Sequence, residues 1–322
     1  MRYKIVQLLK EAPGYVSGQE LGRLFNISRN AIWKHVGELR QEGYTIEAAS
    51  RKGYRLLPFE DRLNSYEIAN DLCTLIVGRN VEYFDILDST NNYAKRLAAE
   101  GCADGMTIVA GQQTAGRGRM GRSWDSPENK GIYITVVLRP PMAPQEAQIL
   151  TLAAAVAVAK GISAASGIHT GIKWPNDLVV RGRKVCGMLA EMSSEADRIN
   201  YIVLGIGINY SQAAEDFPEE LRNRAISLRM ASEEVKAGSS KDISRLALIR
   251  SVLCELDKCY RFVLNGRYNE ILDMWKEGSV TIGREVRFTI KDVEYFGTAV
   301  GITKDGKLSV DCSDGIRREL LS

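Results

Sequence analysis

The 322-residue chain has few of the residues that build metal centres or nucleophilic catalytic sites. Only two histidines, His35 and His169, are present, and the six cysteines form no C-x-x-C pair. This pattern predicts reduced structural thiols and no metal bound by protein ligands. No apolar run approaches the roughly 20 residues of a transmembrane helix, and the first residues lack the apolar region of a signal peptide. We therefore expect a cytoplasmic protein with no membrane partner.

The positive charge is concentrated at the start of the chain. The whole chain carries 43 basic and 40 acidic residues, a formal charge of +3. Residues 1–60 hold ten basic and six acidic side chains, so this segment carries +4 and the remainder carries −1. The length predicts two or three domains, and a basic first domain indicates a nucleic-acid partner.

The first 60 residues predict a winged helix-turn-helix. Capping residues at Ser17 and Ser28 each precede an apolar helical pattern, the second of which ends at Gly43, and a basic hairpin tip follows at 50–53. A plain three-helix domain with a charged outer face is the alternative. Donors suited to phosphates and base edges favour DNA binding. The predicted DNA-binding residues are Ser17, Ser28, Arg29, Asn30, Trp33, Lys34, Arg51 and Lys52.

After a linker at 58–64, strand and helix patterns alternate. Together they predict an α/β domain with a mixed sheet over residues 65–275, closed by a helical stretch at 244–275. Short strands separated by Lys-Asp-Gly and Ser-Asp-Gly turns predict a small β-barrel over 276–322. The predicted class is thus α+β, with three domains.

The segment 112–129 contains three arginines among three glycines, in the run 116–122. It satisfies G-x-G-x-x-G, but no helix can readily open after it and no acidic residue ends a strand about 20 residues further on, so the dinucleotide-binding interpretation fails. No P-loop motif is present. A flexible cationic loop that closes over a polyanion remains, with a solvated Arg-Gly loop or a nonspecific RNA contact as the alternative.

Three further segments carry candidate binding residues. Residues 88–91, Asp-Ser-Thr-Asn, place hydroxyls and an amide where a strand enters a helix. Residues 173–177, Lys-Trp-Pro-Asn-Asp, combine a cation, an amide and a carboxylate, and Lys184 follows. Gly205 and Gly207 leave one strand face without side chains, so that a flat ligand can lie against it. Each segment alone is more often structural, but the four in this order are specific.

In combination, these motifs resemble those of the bifunctional biotin protein ligases that are also biotin operon repressors. The resemblance covers nearly the whole chain. It implies a winged helix, a ligase domain with a mixed sheet like that of class II aminoacyl-tRNA synthetases, and an SH3-like β-barrel. Met120 occupies a loop position that often carries a polar residue in the family.

The resemblance also assigns binding residues. Gln113 is preferred to its neighbour because it keeps the family's spacing to Ala115-Gly116. The implied biotin-binding residues are Ser89, Thr90, Asn91, Gln113, Arg117, Gly118, Arg119, Lys184, Gly187, Gly205 and Gly207. The implied ATP-binding residues are Arg119, Arg122, Trp124, Lys173, Asn176 and Asn209.

The activity that the resemblance implies is ATP- and Mg²⁺-dependent formation of biotinyl-5′-AMP, followed by transfer of biotin to a lysine. The acceptor would be the biotin carboxyl carrier protein of acetyl-CoA carboxylase or of a similar carboxylase. Lys184, Arg119 and Asp177 are the implied catalytic residues. The further implied partners are operator DNA and a second copy of the chain, in a homodimer that forms with the adenylate. We expect the glycine-arginine loop to be mobile until it orders over the adenylate.

Two other functions remain open from the sequence. A lipoate or octanoate ligase of the same superfamily would bind lipoate in place of biotin. A pure biotin-sensing transcription regulator would bind biotin without ATP/pyrophosphate exchange.

Overall fold

The computed structural model describes residues 1–57, 63–235 and 243–321. The chain divides into two compact units, Met1–Tyr66 and Glu67–Ser322. Most of the linker that we predict at 58–64 lies outside the described residues.

Unit 1 has the elements of a winged helix-turn-helix. Its helices are α1 (Arg2–Glu11), α2 (Gly18–Phe25) and α3 (Arg29–Gln41), and its antiparallel hairpin pairs β1 (Ile46–Ala49) with β2 (Gly53–Leu56). The predicted caps are confirmed, because the hydroxyls of the residues before α2 and α3 accept the backbone N–H groups of the third helical residues. The apolar faces of the helices form the core, which includes Ile5, Val6, Leu9, Leu21, Ile32, Val36 and Leu39.

A seven-stranded sheet organises unit 2. The short helix α4 (Ser65–Ala69) contains the division between the units. The strands lie in the order β3-β4-β5-β9-β8-β7-β6. The pair β3-β4 is parallel and the other pairs are antiparallel, so the predicted mixed sheet is confirmed. Their bounds are β3 (Val81–Leu87), β4 (Thr107–Gln113), β5 (Gly131–Leu138), β6 (Gly171–Lys173), β7 (Asp177–Val180), β8 (Arg183–Ser194) and β9 (Ile199–Asn209).

Unit 2 also contains longer helices. They are α5 (Thr90–Ala99), α6 (Gln148–Ser166), α7 (Leu228–Val235), α8 (Arg245–Leu264) and α9 (Tyr268–Gly278). The predicted helical stretch 244–275 is two helices, because Gly266 has φ +66° and separates α8 from α9. The segment Pro144–Ser166 is long and apolar enough to cross a membrane, but 72% of its apolar window is buried inside the fold. It is therefore a core helix of unit 2.

The C-terminal part of unit 2 is an all-antiparallel sheet of four strands. They are β10 (Glu285–Ile290), β11 (Val293–Ile302), β12 (Leu308–Cys312) and β13 (Arg317–Leu320), paired in chain order. This agrees with the predicted small SH3-like barrel, so the predicted fold class is confirmed. Trp174 packs against the core of this sheet and links it to the larger one.

Helices α6 and α8 pack closely where α6 has a glycine. A Cβ atom on Gly161 would lie 2.7 Å from Val252 Cα. We expect Gly161→Ala to lower the free energy of unfolding by about 1–3 kcal/mol, because overpacking outweighs the higher helix propensity of alanine. Gly37→Ala is the matched control, since a Cβ there meets nothing within 4 Å. Urea unfolding followed by tryptophan fluorescence measures both variants, and stabilisation of both would contradict the close packing.

Candidate functional site

One cavity of 410 Å³ collects most of the predicted site residues. Its walls come from the N-terminus of α5, the glycine-arginine loop, the segment between β6 and β7, and the strands β8 and β9. The predicted residues that line it are Ser89, Thr90, Asn91, Gln113, Arg117, Gly118, Arg119, Arg122, Trp124, Asn176, Asp177, Lys184, Gly187, Gly205 and Gly207.

Two predicted ATP-binding residues do not line this cavity. The side chain of Lys173 is exposed on β6. The buried Asn209 amide donates to the backbone carbonyls of Lys184 and Ile226, at 3.2 and 3.3 Å. Asn209 therefore holds the strand that carries Lys184.

The glycine-arginine loop folds back on itself. The Gly118 N–H donates to the Arg122 carbonyl at 2.7 Å, and the Trp124 N–H donates to the Gly116 carbonyl at 2.9 Å. A Cβ on Gly116 would lie 2.3 Å from the Trp124 carbonyl oxygen, so only glycine fits there. At the loop tip, Met120 has φ +55° and is 88% exposed.

The loop arginines contact different partners. Arg119 Nη1 donates to Asn176 Oδ1 at 3.1 Å, which joins the loop to the β6-β7 segment. Arg117 Nη1 donates to Asn92 Oδ1 at 3.2 Å and lies 3.5 Å from the Glu191 carboxylate. The two guanidinium groups thus contact different segments of the fold.

A cation and a carboxylate face each other across β7 and β8. Lys184 Nζ lies 2.6 Å from Asp177 Oδ1 and 5.3 Å from the centre of the Trp124 ring. The ammonium group therefore has both an ion-pair partner and an aromatic face. Burial raises the pKa of the nearby Cys186 thiol, so this thiol stays neutral. That agrees with the prediction of structural cysteines.

The glycine face of the sheet is covered by side chains of the site. Gly187 and Gly207 are directly paired in the β8-β9 register. A Cβ on Gly207 would lie 2.5 Å from Trp124 Cε2, and a Cβ on Gly205 would lie 2.3 Å from Asn91 Oδ1. The glycines thus allow the indole and the amide to pack directly against the strand backbone. The sequence predicted only a flat surface on which a ligand could lie.

The N-terminus of α5 is tied to the end of β4. The Thr90 N–H donates to Gln113 Oε1 at 2.9 Å, and the Thr90 hydroxyl oxygen lies 3.0 Å from the same atom. This contact supports the choice of Gln113 over Gln112. Thr135 and Glu191, which contact Asn91, were not among the predicted site residues. The signal for Thr135 was a small hydroxyl side chain in a strand of otherwise apolar, aromatic or glycine residues. Missed lining residues are Met120, Ser123, Trp174, Pro175, Met188, Leu189, Ile206 and Leu321.

The predicted DNA-binding residues share the outer surface of unit 1. Trp33 is 70% exposed, which is unusual for a large aromatic side chain. Ser17 differs from the other predicted residues because it is half-buried, whereas they are exposed. In the hairpin, Lys52 Nζ lies 5.8 Å from the centre of the Tyr15 ring. The exposed predicted residues are Ser28, Arg29, Asn30, Trp33, Lys34, Arg51 and Lys52.

Comparison with known proteins follows the same division of the chain. The family model of the HTH domain matches residues 2–55, that of the biotin/lipoate A/B protein ligase family matches 83–209, and that of the biotin protein ligase C-terminal domain matches 281–322. The bifunctional ligase/repressor BirA of Bacillus spizizenii is 40% identical over 319 residues, which are 99% of this chain and 96% of that protein. The chain belongs to the bifunctional ligase/repressor family.

Other relatives and solved structures agree. BirA of Escherichia coli is 33% identical over 97% of this chain and 92% of its own length. The biotin protein ligase from Aquifex aeolicus in complex with biotin and ATP matches with a TM-score of 0.63 and 28% identity, over 76% of this chain and 96% of that one. Within this ligase/repressor chain, the matched ligase region 83–209 contributes most of the cavity wall.

The packing of the Trp124 indole against Gly207 can be tested directly. We expect Gly207→Ala to displace the indole, because the new methyl group would overlap the ring. Tryptophan fluorescence, with Trp124→Phe to identify the signal, should show a changed emission from this residue. Gly301→Ala is the control, since a Cβ there meets nothing within 4 Å. An emission unchanged by Gly207→Ala would show that the indole lies elsewhere.

Proposed function

We propose that the chain activates biotin with ATP to biotinyl-5′-AMP and transfers the biotinyl group to a lysine of a biotin carboxyl carrier domain. Its second function is to repress the transcription of biotin genes. We propose that the protein is cytoplasmic. The observation that carries the enzymatic half is the single cavity that joins a neutral polar cluster to a cationic one. The likeness to the Aquifex aeolicus ligase with biotin and ATP supports the choice of ligands.

The neutral cluster suits the biotin head group. Ser89, Thr90 and Asn91 are at most 4% exposed, and Gln113 closes the cluster from β4. Buried hydroxyls and amides discriminate strongly between ligands, because a ligand that lacks the matching group leaves them unpaired. We assign the biotin head group to this end of the cavity, with Arg117, Gly118, Gly187, Gly205 and Gly207 around it.

The cationic cluster suits the nucleotide phosphates. Arg119, Arg122 and Lys184 line the same cavity. Guanidinium groups pair with phosphate oxygens in a bidentate manner, and Trp124 offers a ring for stacking. We assign ATP to these residues and Asn176. Lys173 and Asn209 would act from outside the cavity wall, and for Asn209 the contacts favour support of the Lys184 strand.

In the first step the biotin carboxylate attacks the α-phosphorus of ATP. A P–O bond forms to the carboxylate, the bond to the β-phosphate oxygen breaks, and pyrophosphate leaves. The carboxylate is already ionised at neutral pH, so no general base is required. The protein has to position the reactants and to stabilise the developing phosphate charge. Lys184, now paired with Asp177, would hold the oxygens that join carboxylate and phosphate.

In the second step the ε-amine of the acceptor lysine attacks the carbonyl carbon of the mixed anhydride. An amide bond forms, AMP leaves with the electron pair of the broken C–O bond, and the amine loses a proton. Asp177 lines the cavity and can accept that proton. As the protein that accepts biotin, we propose the biotin carboxyl carrier protein of acetyl-CoA carboxylase or of a similar carboxylase.

Asp177 fits Mg²⁺ only as part of the nucleotide complex. In residues 1–57, 63–235 and 243–321 no group of three or more His, Cys, Asp or Glu side chains could hold a metal ion, and Asp177 is the one carboxylate that lines this cavity. Mg²⁺ commonly binds through one or two carboxylates together with substrate phosphates. When bound in this way it neutralises phosphate charge, and Asp177 would help to hold it.

Loss of Lys184 should abolish most of the adenylation rate. We expect Lys184→Ala to slow pyrophosphate release by about 10²- to 10³-fold, because one charge-stabilising donor is removed. Lys258→Ala is the control, since its ion pair with Glu255 lies on the exposed side of α8. A wild-type rate in Lys184→Ala would refute the assigned role. Tight biotin binding by the wild type without pyrophosphate release would instead favour a pure sensing regulator.

The repressor half of the proposal depends on unit 1. Its exposed cations and the outer face of α3 suit the phosphates and base edges of the major groove. Two such modules are needed to span the half-sites of a symmetric operator. We therefore propose a homodimer that forms when the adenylate is bound, together with ordering of the loop.

Removal of single cations should weaken DNA binding by a salt-dependent amount. We expect Lys34→Ala and Lys52→Ala each to lower affinity for duplex DNA and to reduce the slope of log K against log salt by about 1, as for one lost phosphate contact. Fluorescence anisotropy across a salt series, with biotin and ATP present, measures this slope. Lys4→Ala on α1 is the matched exposed control. Equal slopes in all variants and the wild type would place the DNA on another surface.

A further inference from the structure

A continuous series of polar contacts runs along one wall of the cavity. It begins at the Glu191 carboxylate on β8, passes through Asn91 and Thr135 to Thr90, and reaches Gln113. Gln113 Nε2 then donates to Ser126 Oγ at 2.9 Å, and Ser126 Oγ donates to the Trp124 carbonyl at 3.0 Å. Three residues assigned to the biotin end therefore share one network with Glu191.

Glu191 is an acceptor in this network. Three groups face its carboxylate: Lys95 Nζ at 2.5 Å, Asn91 Nδ2 at 2.9 Å and Arg117 Nη1 at 3.5 Å. Burial raises its pKa, but the hydrogen bonds from Lys95 and Asn91 and the positive charges of Lys95 and Arg117 together hold the pKa below its usual value. An ionised carboxylate has no proton to donate.

This charge fixes the orientation of the Asn91 amide. Only the NH₂ group of the amide can face a carboxylate, so Asn91 Oδ1 must point the other way. There it lies 2.7 Å from the hydroxyl oxygen of Thr135, which is fully buried on β5. Because Oδ1 can only accept, the single proton of the Thr135 hydroxyl belongs to Asn91.

The hydroxyl proton of Thr90 is then also used in a hydrogen bond to a protein acceptor. Its hydroxyl oxygen lies 2.8 Å from that of Thr135 and 3.0 Å from Gln113 Oε1. Thr135 has no second proton, so Thr90 donates either to Thr135 or to Gln113. In both arrangements the Thr90 hydroxyl presents only lone pairs to the cavity.

We propose that Glu191 is a positioning residue that sets the hydrogen-bond direction of the biotin end, so that Thr90 accepts from a ligand N–H and rejects a ligand acceptor. This inference rests on the proposed function, because biotin is the ligand whose ureido group carries such N–H donors. Glu191 lies outside the lining of the 410 Å³ cavity and acts through Asn91 and Thr135.

Glutamine at position 191 should release this constraint. Its NH₂ group can donate to Asn91 Oδ1, which allows the Asn91 amide to turn and donate to Thr135. The Thr135 proton is then free for Thr90, and the Thr90 proton can turn toward the cavity. Glu191→Gln should therefore tolerate a ligand acceptor that the wild type rejects.

The binding experiment compares biotin with its two cyclic carbamate analogues, in each of which a ring oxygen replaces one ureido N–H. Titration calorimetry on the full chain gives the ratio of dissociation constants. For the analogue that lacks the N–H facing Thr90, we expect the wild type to prefer biotin by about 10²-fold or more. In Glu191→Gln this preference should fall by about tenfold or more.

Lys95→Met is the matched control. It removes the ion pair between Lys95 and Glu191 but leaves the hydrogen bond from Asn91 to Glu191. The preference for biotin over the carbamate analogue should therefore stay at the wild-type value. A merely structural role of Glu191 would weaken all three ligands equally and leave the ratio unchanged. An unchanged ratio in a folded Glu191→Gln protein would overturn the inference.

A second measurement needs neither biotin nor a folded variant at position 191. In wild-type protein labelled with ¹⁵N-asparagine, the Asn91 side-chain amide is identified by its loss in Asn91→Asp. Its protons should show nuclear Overhauser contacts to the Glu191 methylene groups. Contacts to the Thr135 side chain instead would overturn the proposed proton order. Failure of the wild type to bind biotin would count against the proposed function, while this spectrum decides the proton order separately.

Discussion

The site depends on a patch of sheet backbone that carries no side chains. Gly187 and Gly207 face each other across β8 and β9, and Gly205 lies two residues before Gly207 on β9. The Trp124 indole and the Asn91 amide lie directly against this patch, so close that a Cβ atom on Gly207 or Gly205 would overlap them. Because these two groups are seated there, the loop that carries Trp124 lies over the sheet and brings its arginines to the same cavity as Lys184.

The two ends of the cavity differ in the kind of interaction that they offer a ligand. At the end that we assign to biotin, buried hydroxyls and amides contact each other, and we infer that their directions are coupled through Thr135 to the Glu191 charge. At the end that we assign to ATP, the cations contact protein groups that phosphates could replace: Asn176 for Arg119 and Asp177 for Lys184. The first end therefore favours selectivity, and the second favours charge stabilisation during reaction.

Much of the fold was predictable from local patterns. The two N-caps of unit 1 and the four C-terminal strands agree with their capping and turn signals. The short strand β7 was missed, since four residues give no readable period. The break between α8 and α9 was also missed, because a single glycine in a helical pattern is often tolerated.

The sequence by itself indicated most of the candidate residues that meet in the cavity, because short motifs carry recognisable residue types wherever the chain places them. Only the tertiary structure decided what each residue contacts. Asn209 was predicted to bind ATP, but its amide holds the Lys184 strand, and the glycines seat protein side chains. Glu191 joined the network only through long-range contact with α5, and hydrogen-bond direction depends on neighbours in space, which no local pattern encodes.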